Sequence, residues 1–205
     1  IKHTEELNIY VEVFEQEALN RAADLDAEYK KDPHSVGKLF GTVMSIKDVI
    51  CFKDHKVTAS SKILEGFESQ FTATALQRAI AEDVIIIGRT NCDEFAMGST
   101  NENSVYGPTL NGADSTLVPG GSSGAAAVSV QMDTCLVALG SDTGGSVRQP
   151  ASFCGVYGMK PSYGRISRYG LIAYASSFDQ IGLLSKDVDI IQSTLGIIEG
   201  NDEHD

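Results

Sequence analysis

Residues 72–83, TATALQRAIAED, place their apolar positions at helical spacing and run directly into VIIIG at 84–88, a short unbroken apolar run. A strand with one solvated face would alternate, so an unbroken run closed by glycine predicts a strand covered on both faces. The succession recurs along the chain. Residues 15–31 read as a surface helix, with Ala18, Leu19, Ala22 and Leu25 at helical period, and GTVMSIKDVI at 41–50 as a buried strand. Residues 122–132 are helical in pattern, 134–140 and 156–159 strand-like, and 186–199 helical again. Helix alternating with buried strand predicts an α/β fold, a sheet covered by helices on both faces. Neither an internal repeat nor a linker divides it, so residues 1–205 read as a single domain.

Composition excludes several alternatives. With 42% hydrophobic and 21% charged residues over 205 positions, the chain can bury roughly 70% of its unfolded surface, unlike a disordered segment or a bare coiled coil. Lys and Arg number 16 against 28 Asp and Glu, a net charge of -12 that repels phosphate backbones and anionic lipid, so no direct nucleic-acid partner is expected. No apolar stretch is long enough for a membrane span, and IKHTEELNIY lacks the apolar core of a signal peptide, which predicts a cytoplasmic protein without a membrane partner. Cys51, Cys92, Cys135 and Cys154 form no CxxC pair, and His3, His34, His55 and His204 show no HxH or HxxxH spacing. Reduced thiols and no metal site are expected.

Between residues 107 and 170 lie 12 of the 20 glycines, interrupted by apolar runs such as CLVALG and FCGVYG. The densest segments are PGGSSGAAAVSVQ at 119–131 and GSDTGGSVRQP at 140–150. Each sets a glycine-rich, serine-bearing turn at a helical start, where backbone N–H groups can meet an anion. Taken singly, such a turn is equally a phosphate cradle or a tight bend, and neither matches GxxxxGK[ST] or GxGxxG. A serine nucleophile needs a base, and no histidine lies near either turn. Lys47, alone in an apolar strand, is the candidate, because desolvation lowers a lysine toward neutrality and a neutral amine can relay a proton through one serine to another. A lysine whose head snorkels to water from the strand end is the alternative.

The lysine of VMSIKD, the GGSS turn and GSDTGGSVRQPASFCGVYGMKPS together resemble the amidase signature family, over essentially the whole chain. The intervals agree: 75 positions from Lys47 to Ser122 and 24 from Ser122 to Ser146. The resemblance implies a mixed sheet and an amide hydrolase with a Ser-Ser-Lys triad, in which Ser146 is the nucleophile, Ser122 the bridging serine after a cis Gly121–Ser122 bond, and Lys47 the general base. It implies an oxyanion hole from the backbone N–H groups of Thr143, Gly144, Gly145 and Ser146. It also puts Met97 and Ser99 in a loop beside the substrate, while Tyr174 reads equally as a pocket-lining residue or as a packing residue. Asp142 and Arg148, flanking the nucleophile, read as a structural ion pair. Cys92 and Cys154 read as core residues.

Two longer segments, TNCDEFAMGSTNENSVYGP at 90–108 and GLIAYASSFDQIG at 170–182, are most similar to the glutaminase subunits of the tRNA-dependent amidotransferases. That likeness implies glutamine as substrate and ammonia as product. It implies a second subunit that uses ATP and Mg to amidate the charged tRNA, and a small third subunit that wraps the interface, with no cofactor on this chain. The alternatives are a stand-alone amidase of other specificity and a catalytically silent scaffold subunit. Ala125 stands where a second glycine is common and Gln131 where a small residue is; alanine favours helix over glycine, which makes the first change mild. The likeness implies a subunit more than twice as long, in which the arginine and aspartate that grip the substrate's α-groups are expected beyond residue 205. The fold is therefore expected to be the N-terminal portion of a longer subunit, incomplete on its C-terminal side.

Overall fold

A computed structural model describes residues 2–205, with side chains from residue 5 onward, so His3 lies outside the described side chains. Six strands, β1 (Tyr10–Val13), β2 (Val43–Lys47), β3 (Ile85–Thr90), β4 (Val137–Asp142), β5 (Tyr157–Met159) and β6 (Gln180–Ser185), form one sheet in the order β1-β3-β2-β4-β6-β5. β2 runs parallel to both β3 and β4, and the other pairs are antiparallel. This is the expected mixed sheet, open at β1 and β5.

Among the described residues five α-helices flank the sheet: α1 (Glu15–Lys31), α2 (Thr74–Ala81), α3 (Gly124–Gln131), α4 (Arg148–Cys154) and α5 (Val188–Ile198). Strand alternation divides them between the faces. Met44, Ile46, Val137, Leu139, Ile181 and Leu183 pack with Leu76 of α2 and with Ile191, Leu195 and Ile198 of α5. Ala138 and Leu184 pack on the other side with α3 and with Val147 and Ala151 around α4, while α1 sets Ala18 and Leu25 against Ile85. Every residue of α3 from Gly124 to Val130 is buried. Its small side chains let the helix lie close to the sheet, and a helix apolar all round belongs in an interior.

Several elements differ from the sequence reading. The apolar pattern predicts no strand at β1 or at β6, and both are present. α3 starts two residues later than the periodicity predicts, because Ser122 and Ser123 stay in the turn with their hydroxyls on Lys47. β2 ends at Lys47, where the N–H groups of Val49 and Ile50 both donate to the Lys47 carbonyl and turn the chain. The adjacent parallel strands β2 and β4 thus bring their carboxyl ends together, the position at which open α/β sheets build sites.

An ion pair anchors the turn after β2. The buried Asp48 carboxylate accepts Thr58 N–H at 2.9 Å, Thr58 Oγ1 at 2.6 Å and Ser60 N–H at 2.7 Å, and pairs with Arg89. Arg89, buried in turn, reaches Glu12 at 2.8 Å. Asp48→Ala leaves that guanidinium without its buried partner and should cost about 3–5 kcal/mol in urea unfolding. A loss below about 1 kcal/mol would contradict this assignment.

Candidate active site

Lys47 is the largest fully buried side chain of the sheet, and its Nζ donates to Ser122 Oγ at 2.6 Å, Ser123 Oγ at 3.0 Å and Ser141 Oγ at 3.0 Å. Among the described residues no carboxylate forms an ion pair with it. Buried lysines ordinarily have such a partner. Burial lowers the Lys47 pKa from 10.5 to about 8, opposed by the pull of Cys92, Asp93, Asp142 and Asp179. At that value about a tenth of the amine is neutral at pH 7. Ser123 Oγ also donates to the Ser141 carbonyl at 3.0 Å and accepts Ser141 N–H at 3.3 Å, so the turn before α3 and the end of β4 are fastened to each other around the amine.

The Gly121–Ser122 peptide is cis. Gly121 is confined: a Cβ there would lie 2.1 Å from Asp93 Oδ2 and 2.7 Å from the Thr100 nitrogen. Asp93, buried, accepts Asn101 N–H at 3.0 Å and Asn103 N–H at 3.3 Å, and so holds the 93–103 loop against the GGSS turn.

Ser146 comes to the same place from the other glycine-rich turn, its carbonyl accepting Ser123 N–H at 3.0 Å. Its side chain borders an open cavity of about 530 Å³, together with Met97, Ser99, Gly121, Gly144, Gln149 and Tyr174. The structure thus gathers Met97, Ser99 and Tyr174 around Ser146, with Lys47 and Ser122 buried beneath. Ser146 Oγ makes no hydrogen bond to Ser122 or to any other described residue.

Asp142 organises the 143–146 turn by accepting Gly145 N–H at 2.8 Å, Val147 N–H at 3.0 Å and Arg148 N–H at 3.2 Å, and by pairing with Arg148 at 2.9 Å. Burial alone would raise the Asp142 carboxyl, but Arg148 and these N–H groups outweigh it and hold it below the usual range. Of the four backbone donors expected here, Gly145 N–H is thereby occupied, whereas those of Gly144 and Ser146 have no partner among the described residues. Thr143 Oγ1 donates to Asp179 at 2.5 Å, and Asp179 also accepts Tyr174 N–H at 2.8 Å, joining the turn to the Tyr174 wall.

Sequence reasoning missed Ser123, Ser141, Asp93, Gln149 and Asp179. Ser123 carried a signal, its place beside Ser122; the others act across separations that no local pattern encodes. All four cysteines are free and buried, and burial pushes the Cys92 and Cys154 thiols up to about 12, which removes them as nucleophiles. Among the described residues no group of three or more His, Cys, Asp or Glu side chains could hold a metal ion, and no helix is long and apolar enough to cross a membrane.

A family model described as Amidase matches residues 1–205. The A subunit of the Chlorobaculum parvum glutamyl-tRNA(Gln) amidotransferase is 57% identical over 198 residues, 97% of this chain and 41% of that protein. Its counterpart in Chlorobium phaeobacteroides is 53% identical over all 205 residues, covering 43% of its length. The chain therefore spans about two-fifths of the curated relatives it matches. Among solved structures, the A subunit of the Thermotoga maritima glutamyl-tRNA(Gln) amidotransferase superposes with a TM-score of 0.81 at 43% identity, over 93% of this chain and 46% of that one. A peptide amidase in complex with the competitive inhibitor chymostatin superposes with a TM-score of 0.89 at 31% identity, over 97% of this chain and 41% of that one.

Proposed function

The chain belongs to the amidase family, and on that premise we propose that it is the glutamine-hydrolysing component of a glutamyl-tRNA(Gln) amidotransferase, acting through Lys47, Ser122 and Ser146. One observation carries this reading: a fully buried lysine with no carboxylate partner among the described residues, 2.6 Å from the Ser122 hydroxyl. That environment favours the neutral amine a base requires.

In this reading neutral Lys47 takes the proton of Ser122 while Ser122 takes that of Ser146, and Ser146 Oγ bonds to the carbonyl carbon of the glutamine side-chain amide. The Ser146 hydroxyl must swing onto Ser122 as substrate binds, a tightening common when catalytic hydrogen bonds are long in the free enzyme. The resulting oxyanion is met by the unoccupied N–H groups of Gly144 and Ser146, with Thr143 and Gly145 shaping the turn. One such donor is worth about 3 kcal/mol of barrier. Collapse breaks the carbon–nitrogen bond, the relayed proton returns through Ser122 to the nitrogen, and ammonia leaves. Water then hydrolyses the Ser146 ester to glutamate.

The partners follow from the same likeness. A second subunit spends ATP, with Mg, to activate Glu-tRNA(Gln) and takes up the ammonia to give Gln-tRNA(Gln), and a small third subunit wraps the interface. The net charge of -12 on this chain supports leaving tRNA to the second subunit. The likeness to a peptide amidase favours a second reading, a stand-alone amidase, but 57% identity to the amidotransferase relative outweighs 31% to the peptide amidase. Ammonia release by the full chain with its subunits decides: glutamine should be preferred over simple peptide amides, at a rate rising with pH to a midpoint near 8. Faster hydrolysis of the simple amides without any partner chain would overturn this assignment.

A further inference from the structure

Gln149 lies three residues beyond Ser146 at the start of α4, and its own N–H donates to the Gly145 carbonyl at 2.8 Å. Both ends of its carboxamide are engaged. Oε1 accepts Gly121 N–H at 2.9 Å, on the residue that precedes Ser122, and Nε2 donates to the Ser99 carbonyl at 3.0 Å. The fit on the glycine side is close, since a Cβ at Gly120 would lie 3.0 Å from Oε1 and from Pro150 Cα. Three segments distant in sequence therefore meet on one residue that borders the cavity: the Ser99 wall and the turn bearing Ser122 through its carboxamide, and the turn bearing Ser146 through its backbone N–H.

We propose that Gln149 is a positioning residue for acylation, whose carboxamide holds Ser122, Ser146 and the Ser99 wall in one register. Its two polar ends face backbone groups, so it acts through the protein and not on the substrate. The inference rests on the reading of Ser146 as nucleophile.

A fluorophosphonate tests it on the full chain with any partner chains that accompany it. The Ser146 Oγ–P bond forms, the P–F bond breaks, fluoride leaves and the hydroxyl proton passes to Ser122 and Lys47; intact-mass time courses give the rate and peptide mapping the site. Gln149→Met, similar in volume but without the amide, should fold and label about 10- to 100-fold more slowly, with the pH midpoint of labelling unchanged. Gln149→Glu keeps an acceptor for Gly121 N–H and should recover part of the rate. If the Met variant does not fold, Gln149→Asn, too short to reach both groups, carries the same expectation. A folded Met or Asn variant that labels as fast as the parent overturns the role of Gln149 and leaves Ser146 standing. A parent that does not label at Ser146 overturns both.

Discussion

Lys47→Met should lower turnover about 10⁴-fold, the upper range for loss of a general base, and leave the fold standing. Methionine matches the length of the lysine stem, so the slot between β2 and α3 stays filled. Two opposing terms decide stability. Removing an amine whose pKa has fallen from 10.5 to about 8 relieves a desolvation penalty on the order of 3 kcal/mol. Against that, the Ser122 and Ser141 hydroxyls lose their only hydrogen-bond partner among the described residues, at about 1–3 kcal/mol each. These nearly cancel, so stability should move by no more than about 2 kcal/mol in either direction. The pH dependence has a definite sign. Between about 8 and 10.5 the unfolded chain holds a proton at Lys47 that the folded chain has released, so the parent gains stability as pH rises through that window. Cys92 and Cys154, raised from 9.0 to about 12, work in the opposite sense above pH 9. The difference between parent and variant isolates the lysine: it should grow from pH 8 upward. A Met variant with appreciable turnover, or one whose stability parallels the parent at every pH, would contradict the role given to Lys47.

Ser146→Ala should have the larger effect on chemistry and the smaller on stability. Losing a nucleophile costs about 10⁶-fold in kcat, because no acyl-enzyme can form. The hydroxyl has no hydrogen-bond partner among the described residues, so its deletion should change unfolding by about 1 kcal/mol or less. Substrate affinity, measured by calorimetry, should persist, since Gly144, Tyr174 and the Ser99 wall remain. The same variant separates an enzyme from a silent scaffold. A parent that releases ammonia and an Ala variant that does not support catalysis at this serine; an Ala variant as active as the parent would remove Ser146 from the mechanism.

Only some residues of the candidate site were legible in the sequence, and most of their connections were not. Lys47 stood out because a charge interrupts an apolar β-branched run, and the helical periods of 15–31, 72–83 and 186–199 correspond to α1, α2 and α5. β6 escaped because Gln180, Gly182 and Ser185 break up the unbroken apolar run that marks a strand buried on both faces. β1 is four residues long, too short for its pattern to stand apart from a loop. Ser141 reaches Lys47 across 94 positions and Gln149 reaches Ser99 across 50, distances at which composition and spacing say nothing about contact. Asp142 and Arg148 were legible as a pair, yet the three N–H groups that Asp142 also accepts come from the path of the backbone itself.

NMR titration of the lysine Cε–Hε resonances, with Lys47 assigned by its absence from Lys47→Met, reads the protonation of this amine in the folded protein. The account predicts a midpoint near pH 8. A midpoint at or above the ordinary 10.5 would mean that the amine is charged throughout the working range and cannot serve as the base.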